Sequence, residues 1–202
     1  MTCGSLRNHY GPWDYRVNRG ETLDVVERAH FTPKIEMLIR GNTGSIGQDL
    51  SYTLRAFPNH HRALLTAERF AQRSSNPQPK DMQYTVDCYY RRAIAFRPDD
   101  TVARLLFARY LFSHNDATEA RAHLQTAFNQ KDATAFSIYN VGLVALEFKE
   151  YELAVVAAQR AKGMGMENMT LIERLQAAGK WPGTAAASEP AASSEVSDPR
   201  PQ

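Results

Sequence analysis

Large apolar residues in the middle of the chain recur three and four positions apart. Leu105, Phe107, Ala108, Leu111 and Phe112 form one such set, and Ile138, Val141, Gly142, Ala145 and Leu146 form another. This period belongs to helices with one buried face, because a half-buried strand would alternate instead. Polar residues interrupt the pattern at Ser113-His114-Asn115-Asp116, and a second break falls at Phe148-Lys149-Glu150. Each break is followed by an alanine-rich stretch, which has high helix propensity. The pattern predicts pairs of helices joined by short turns.

The pairs repeat. A step of 34 residues joins Ala93 to Ala127 and to Ala161, joins Ala120 to Ala154, and joins Ala108 to Gly142. A period in this range marks an array of supersecondary units, each too small to bury its own apolar face. Leu54 to His60 repeats the character of Ile94 to Asp100, but Pro58 and Pro98 lie 40 residues apart. The extra residues are assigned to the polar stretch Ser74 to Lys80, since surface loops absorb insertions at little cost.

Upstream, Thr32-Pro33 predicts a helix start and Gly41-Asn42 a stop, giving a helix over Pro33 to Arg40. A second helix is predicted near Ile46 to Ala56, and others end near Arg73 and begin near Asp81. After the last unit, Met169 to Ala178 predicts one amphipathic helix, with Leu171, Ile172 and Leu175 facing inward and Gly179 stopping it. The resulting division is an irregular aromatic arm over 1–26, a helical domain over 27–180 and a low-complexity, disordered tail over 181–202.

These residues resemble the tetratricopeptide repeat. The unit from Ala135 to Met166 carries the likeness most fully, through Tyr139-Asn140-Val141-Gly142-Leu143 and Tyr151-Glu152-Leu153-Ala154. Pro98 matches the family's closing proline, while Asp132 and Met166 stand where the other closing prolines would. The resemblance implies an all-α fold: a right-handed α-solenoid of three to four helix hairpins with a C-terminal capping helix. It also implies contact with a protein or peptide partner along a concave groove. By analogy the groove residues are Leu105, Arg109 and Phe112 from one unit and Phe136, Tyr139, Asn140 and Leu143 from the next. A further likeness is to bacterial tetratricopeptide proteins of the cell envelope that help assemble a pilus or secretion system.

Composition narrows the partner class. The formal net charge is +2, with 43% hydrophobic and 23% charged residues, which gives no bias toward nucleic acid. Apolar runs such as Val141 to Leu146 are far too short to span a bilayer. The opening residues lack the basic start and apolar stretch of a secretory signal. The likeness to envelope proteins, which often begin after a cleaved signal, implies a periplasmic mature form, with the cytoplasm as the alternative. Cys3 and Cys88 either pair, clamping the N-terminal segment to a helix, or remain a free thiol and a small buried apolar residue.

Motifs for catalysis are missing. There is no phosphate loop after a strand, no Gly-x-Ser-x-Gly and no His-Glu-x-x-His. Gly41 to Gly47 is glycine-rich but lacks the Lys-Ser/Thr ending of a phosphate cradle. His60 and His61, with Glu68 and His30, are the one set that suggests a metal. Adjacent histidines diverge by about 100° on a helix, however, and the residues also suit a helix cap and an inter-helix turn. The expectation is a non-enzymatic scaffold with no cofactor and no metal. Two alternatives are a metal-binding protein or small enzyme built on His60/His61, and a self-associating structural subunit.

Overall fold

The computed structural model describes residues 3–183, and among these it contains ten helices and no strand. In chain order they are α1 (Glu21–His30), α2 (Pro33–Glu36), α3 (Ile46–Ala56), α4 (His61–Ser74) and α5 (Val86–Phe96). They continue as α6 (Thr101–Ser113), α7 (Ala117–Phe128), α8 (Ala135–Glu147), α9 (Tyr151–Gly163) and α10 (Thr170–Ala177). The fold is all-α. Nearly the whole tail predicted over 181–202 lies outside the described residues.

Local chemistry sets most helix starts. Ser45 forms a reciprocal capping box with Gln48 at α3. The side chains of Thr85, Asp100, Asp116 and Thr134 each accept the backbone N–H three residues on, satisfying a donor that the first turn leaves unpaired. His60 does the same at α4, its ring accepting from the Ala63 N–H.

Packing follows chain order. α6 and α7 form one tight hairpin and α8 and α9 another. α7 touches α8, α6 touches both α4 and α8, and α10 closes onto α8 and α9. The alanines that recur at 34 residues sit inside these contacts: Ala93, Ala127, Ala161, Ala120, Ala154 and Ala108 are all buried. Gly142 shows why small residues are needed there. A Cβ at that position would lie 2.4 Å from Leu171 Cδ2 and 3.2 Å from Ala157 Cβ.

Three apolar clusters result. One joins α2 to α6 around Leu50, Leu54, Tyr89, Tyr90 and Phe107. A second joins α6 to α10 around Leu124, Ile138, Val141 and Leu171. A third, with Tyr15, Leu23, Val26, Ala56 and Phe57, fixes the N-terminal segment.

Several sequence expectations need correction. Residue 26, the predicted end of the arm, falls inside α1, a helix with Leu23 and Val26 buried. Thr32 occupies the start of α2, but its hydroxyl makes no cap bond and is buried without a partner. That helix stops at Glu36, short of Arg40, because Leu38 takes a left-handed conformation (φ 57°) and turns its side chain into the core. α5 begins at Val86, later than Asp81. The loop before it is organised by the Val86 N–H bonding Pro77 O and by burial of Met82.

Candidate functional site

α6 and α8 lie side by side and leave an open groove of about 520 Å³ between their outer faces. Val102, Leu105, Leu106 and Arg109 line one wall. Phe136, Asn140, Leu143, Val144 and Glu147 line the other, and Arg174 of α10 stands at one end. On each helix the spacings are those of a single face, which is why two short stretches of sequence suffice to build the wall. Phe136 is 67% exposed and Val102 45% exposed, so two large apolar side chains meet water at the groove mouth.

Polar groups in the groove are few. Arg109 donates from Nε to Glu147 Oε2 at 3.1 Å and from Nη2 to Glu147 Oε1 at 3.0 Å, a two-pronged pair joining the helices. The Glu147 hydrogen bond raises the Arg109 pKa against the opposing effect of burial. Both side chains are a little under half exposed, so solvent screens the pair and it adds roughly 0–1 kcal/mol to stability. Asn140 spends its amide on the Phe136 carbonyl of its own helix. Arg174 forms no ion pair with any described residue.

Of the seven residues expected in a groove, Leu105, Arg109, Phe136, Asn140 and Leu143 line this one. Two do not. Tyr139 is 7% exposed and donates its hydroxyl to Asn168 Oδ1 at 3.0 Å, tying α8 to the turn before α10. Phe112 stacks on Phe148, in the turn between α8 and α9, at a centroid distance of 4.4 Å. Val102, Leu106, Val144, Glu147 and Arg174 were missed. The first four could have been found by extending the i, i+3, i+4 rows from Arg109 and Asn140. Arg174 needed the position of α10.

The structure joins Cys3 to Cys88 by a disulfide, with the Cα atoms 5.2 Å apart. Arg92, in the next turn of α5, is buried and donates from Nη1 to the carbonyls of Cys3, Gly4 and Ser5 at 2.8 to 3.3 Å. The arm is thus held to α5 by both a covalent bond and a guanidinium cradle.

No family model, curated protein or solved structure matches this chain.

The histidines are spoken for individually. His60 accepts from the Ala63 N–H through Nδ1, so Nε2 carries the proton and meets Glu27 Oε1 at 3.0 Å. Its ring stacks on Tyr15 at 4.1 Å and meets Phe31 edge-on. Burial lowers its pKa, partly opposed by Glu27. His61 Nε2 faces the Asp100 carboxylate at 2.9 Å, His30 Nδ1 faces Asp49 at 2.9 Å, and Glu68 accepts from the Tyr90 hydroxyl at 2.8 Å. These four side chains point to four different partners. Among the described residues no group of three or more His, Cys, Asp and Glu converges on a point where an ion would sit.

Proposed function

We propose that this chain is a non-catalytic binding scaffold: a right-handed α-solenoid of tetratricopeptide type, capped by α10, that holds a segment of a protein partner in the α6–α8 groove. The 34-residue register of buried alanines and the paired hairpins α6/α7 and α8/α9 support the architecture. The observation that carries the function is the groove itself, where Phe136 and Val102 are exposed beside a shelf of leucines.

Its chemistry selects the occupant. An apolar wall beside a cation that forms no ion pair with any described residue suits a short peptide with apolar side chains at i and i+3 or i+4 and a carboxylate placed to reach Arg174. The Cys3–Cys88 disulfide supports an oxidising compartment such as the periplasm, where the scaffold would serve assembly of an envelope machine. Selection from a random twelve-residue peptide library tests the reading. Enriched sequences are expected to share two apolar anchors and an acidic residue, and to lose enrichment on the Phe136→Glu variant. Sequences with no common pattern, or equal enrichment on both proteins, would count against it.

A further inference from the structure

The helices α4, α6 and α8 share a register: each begins one residue after its cap, at His60, Asp100 and Thr134. Four residues beyond the cap stand Leu64, Arg104 and Ile138. Leu64 and Ile138 are core aliphatics, 1% and 0% exposed. Arg104 puts a guanidinium where its counterparts put hydrocarbon, and it too is only 7% exposed.

That cation is poorly compensated. Nη2 donates to Pro98 O at 2.5 Å and Nη1 meets His123 Nδ1 at 3.1 Å, while Nε is buried with no partner. No carboxylate of the described residues lies within ion-pair distance of it. Burial lowers the Arg104 pKa, with the charge of Asp100 opposing. A buried charge with no ion-pair partner is costly, and Leu64 and Ile138 show that the position does not need a charge to pack.

Arg104 lines a cleft of about 660 Å³ between the α5–α6 turn and the α7–α8 turn. Lys131, Thr134 and Ser137 line it too, at the N-terminal end of the thirteen-residue α8. Asp99 and Asp132 line it as well; Asp99 is held by Arg16, itself a lining residue, and Asp132 is exposed.

The neighbouring turns show how such a space is filled. Around the α3–α4 and α5–α6 turns lies the carboxylate of Asp14, brought in by the N-terminal arm. It accepts from Asn59 Nδ2 at 2.7 Å and Arg16 Nη2 at 2.8 Å, and Arg97 Nε lies 2.9 Å away. Burial alone would raise the Asp14 pKa, but the hydrogen bonds from Arg16 and Asn59 hold it well below the usual carboxylate range.

We infer that the cleft over Arg104 is a second binding site, which takes the side-chain carboxylate of an acidic, extended peptide segment of a partner, as the preceding turns take Asp14. The carboxylate supplies the charge that Arg104 lacks, with Lys131 and the first turn of α8 as further donors. The site lies apart from the α6–α8 groove, and its test is independent of that reading.

Titration by NMR, following the Arg104 Nε–Hε and Ser137 amide signals, tests the site with the probe Ac-Ala-Asp-Ala-NH2. A saturable shift is expected at millimolar peptide. Ac-Ala-Asn-Ala-NH2, and chloride at matched ionic strength, should leave these signals in place. Arg104→Leu restores the residue type of its counterparts, so it should fold, melt no lower than wild type and bind the aspartyl peptide at least tenfold more weakly. Lys131→Gln, at an exposed position, should weaken binding about threefold without touching the core. Equal responses to the Asp and Asn peptides, or unchanged binding by both variants, would overturn the inference. So would saturation by inorganic phosphate with no response to the aspartyl peptide, since the site would then serve a free anion.

Discussion

From the arm to the start of α4 the chain is tied by particular polar atoms, whereas from α6 to α10 it is packed by small side chains in register. In the first region Asp14, Asn59, His60 and Asp49 are buried and hydrogen-bonded, and a disulfide and Arg92 secure the arm. In the second, Ala108, Ala120, Ala127, Gly142, Ala154 and Ala161 let helices approach closely with few buried polar groups. The first region should therefore respond to redox state and proton concentration, and the second to side-chain volume.

The largest effect is expected from the disulfide. It closes a span of 85 residues, which in the chain-entropy model corresponds to about 4–5 kcal/mol, with less realised in practice. Urea unfolding of Cys88→Ser should show a loss of about 3 kcal/mol. A loss under about 1 kcal/mol would mean that Arg92 and the aromatic contacts hold the arm by themselves.

Gly142→Val is the matching test of the regular region. The added methyls meet Leu171 and Ala157, and overpacking of this kind costs about 1–3 kcal/mol. Thermal melting should drop accordingly, with amides of α10 losing hydrogen-exchange protection first. Full protection in α10 would show that α10 does not depend on close approach at Gly142.

The smallest effect concerns pH. The His60 pKa is lowered on folding, so the folded state binds fewer protons there than the unfolded chain. Its contribution is present above about pH 6.5, the unfolded value, and is lost as pH falls below it, at no more than about 1.4 kcal/mol per pH unit for one proton. Glu27 of α1 and Arg62 of α4 are the charged groups facing the ring, with Tyr15 stacked on it. His123, also lowered by burial, contributes with the same sign. His60→Asn keeps a neutral cap at α4 and should flatten the fall in stability between pH 7 and 5. An unaltered slope would place the pH response at His123 of α7, in the second region, and break the contrast.

The same contrast explains what was legible in the sequence. The hairpins α6/α7 and α8/α9 are local, and each apolar row and small residue reports its own burial, so they could be read directly. Five of the residues that the family resemblance implied for a groove line the one between α6 and α8. α1 was hidden because its buried face is only Leu23 and Val26, and the aromatic turn residues before it dominated the pattern. Tyr139 and Phe112 were misplaced because a ring at a helix edge packs either way, and only the positions of Asn168 and Phe148 decide which. Arg104 gave no sign at all: an arginine in an amphipathic helix normally faces water, and its burial depends on the α5–α6 turn and His123.

The central claim is that the α6–α8 groove receives a partner's chain, and the affinity of a library-selected peptide for wild type and for Phe136→Glu tests it most directly. The substitution changes an exposed side chain, so helicity and melting temperature should stay the same while Kd rises at least tenfold, about 1.4 kcal/mol or more. An unchanged Kd, with the peptide still bound, would contradict the groove as the binding surface.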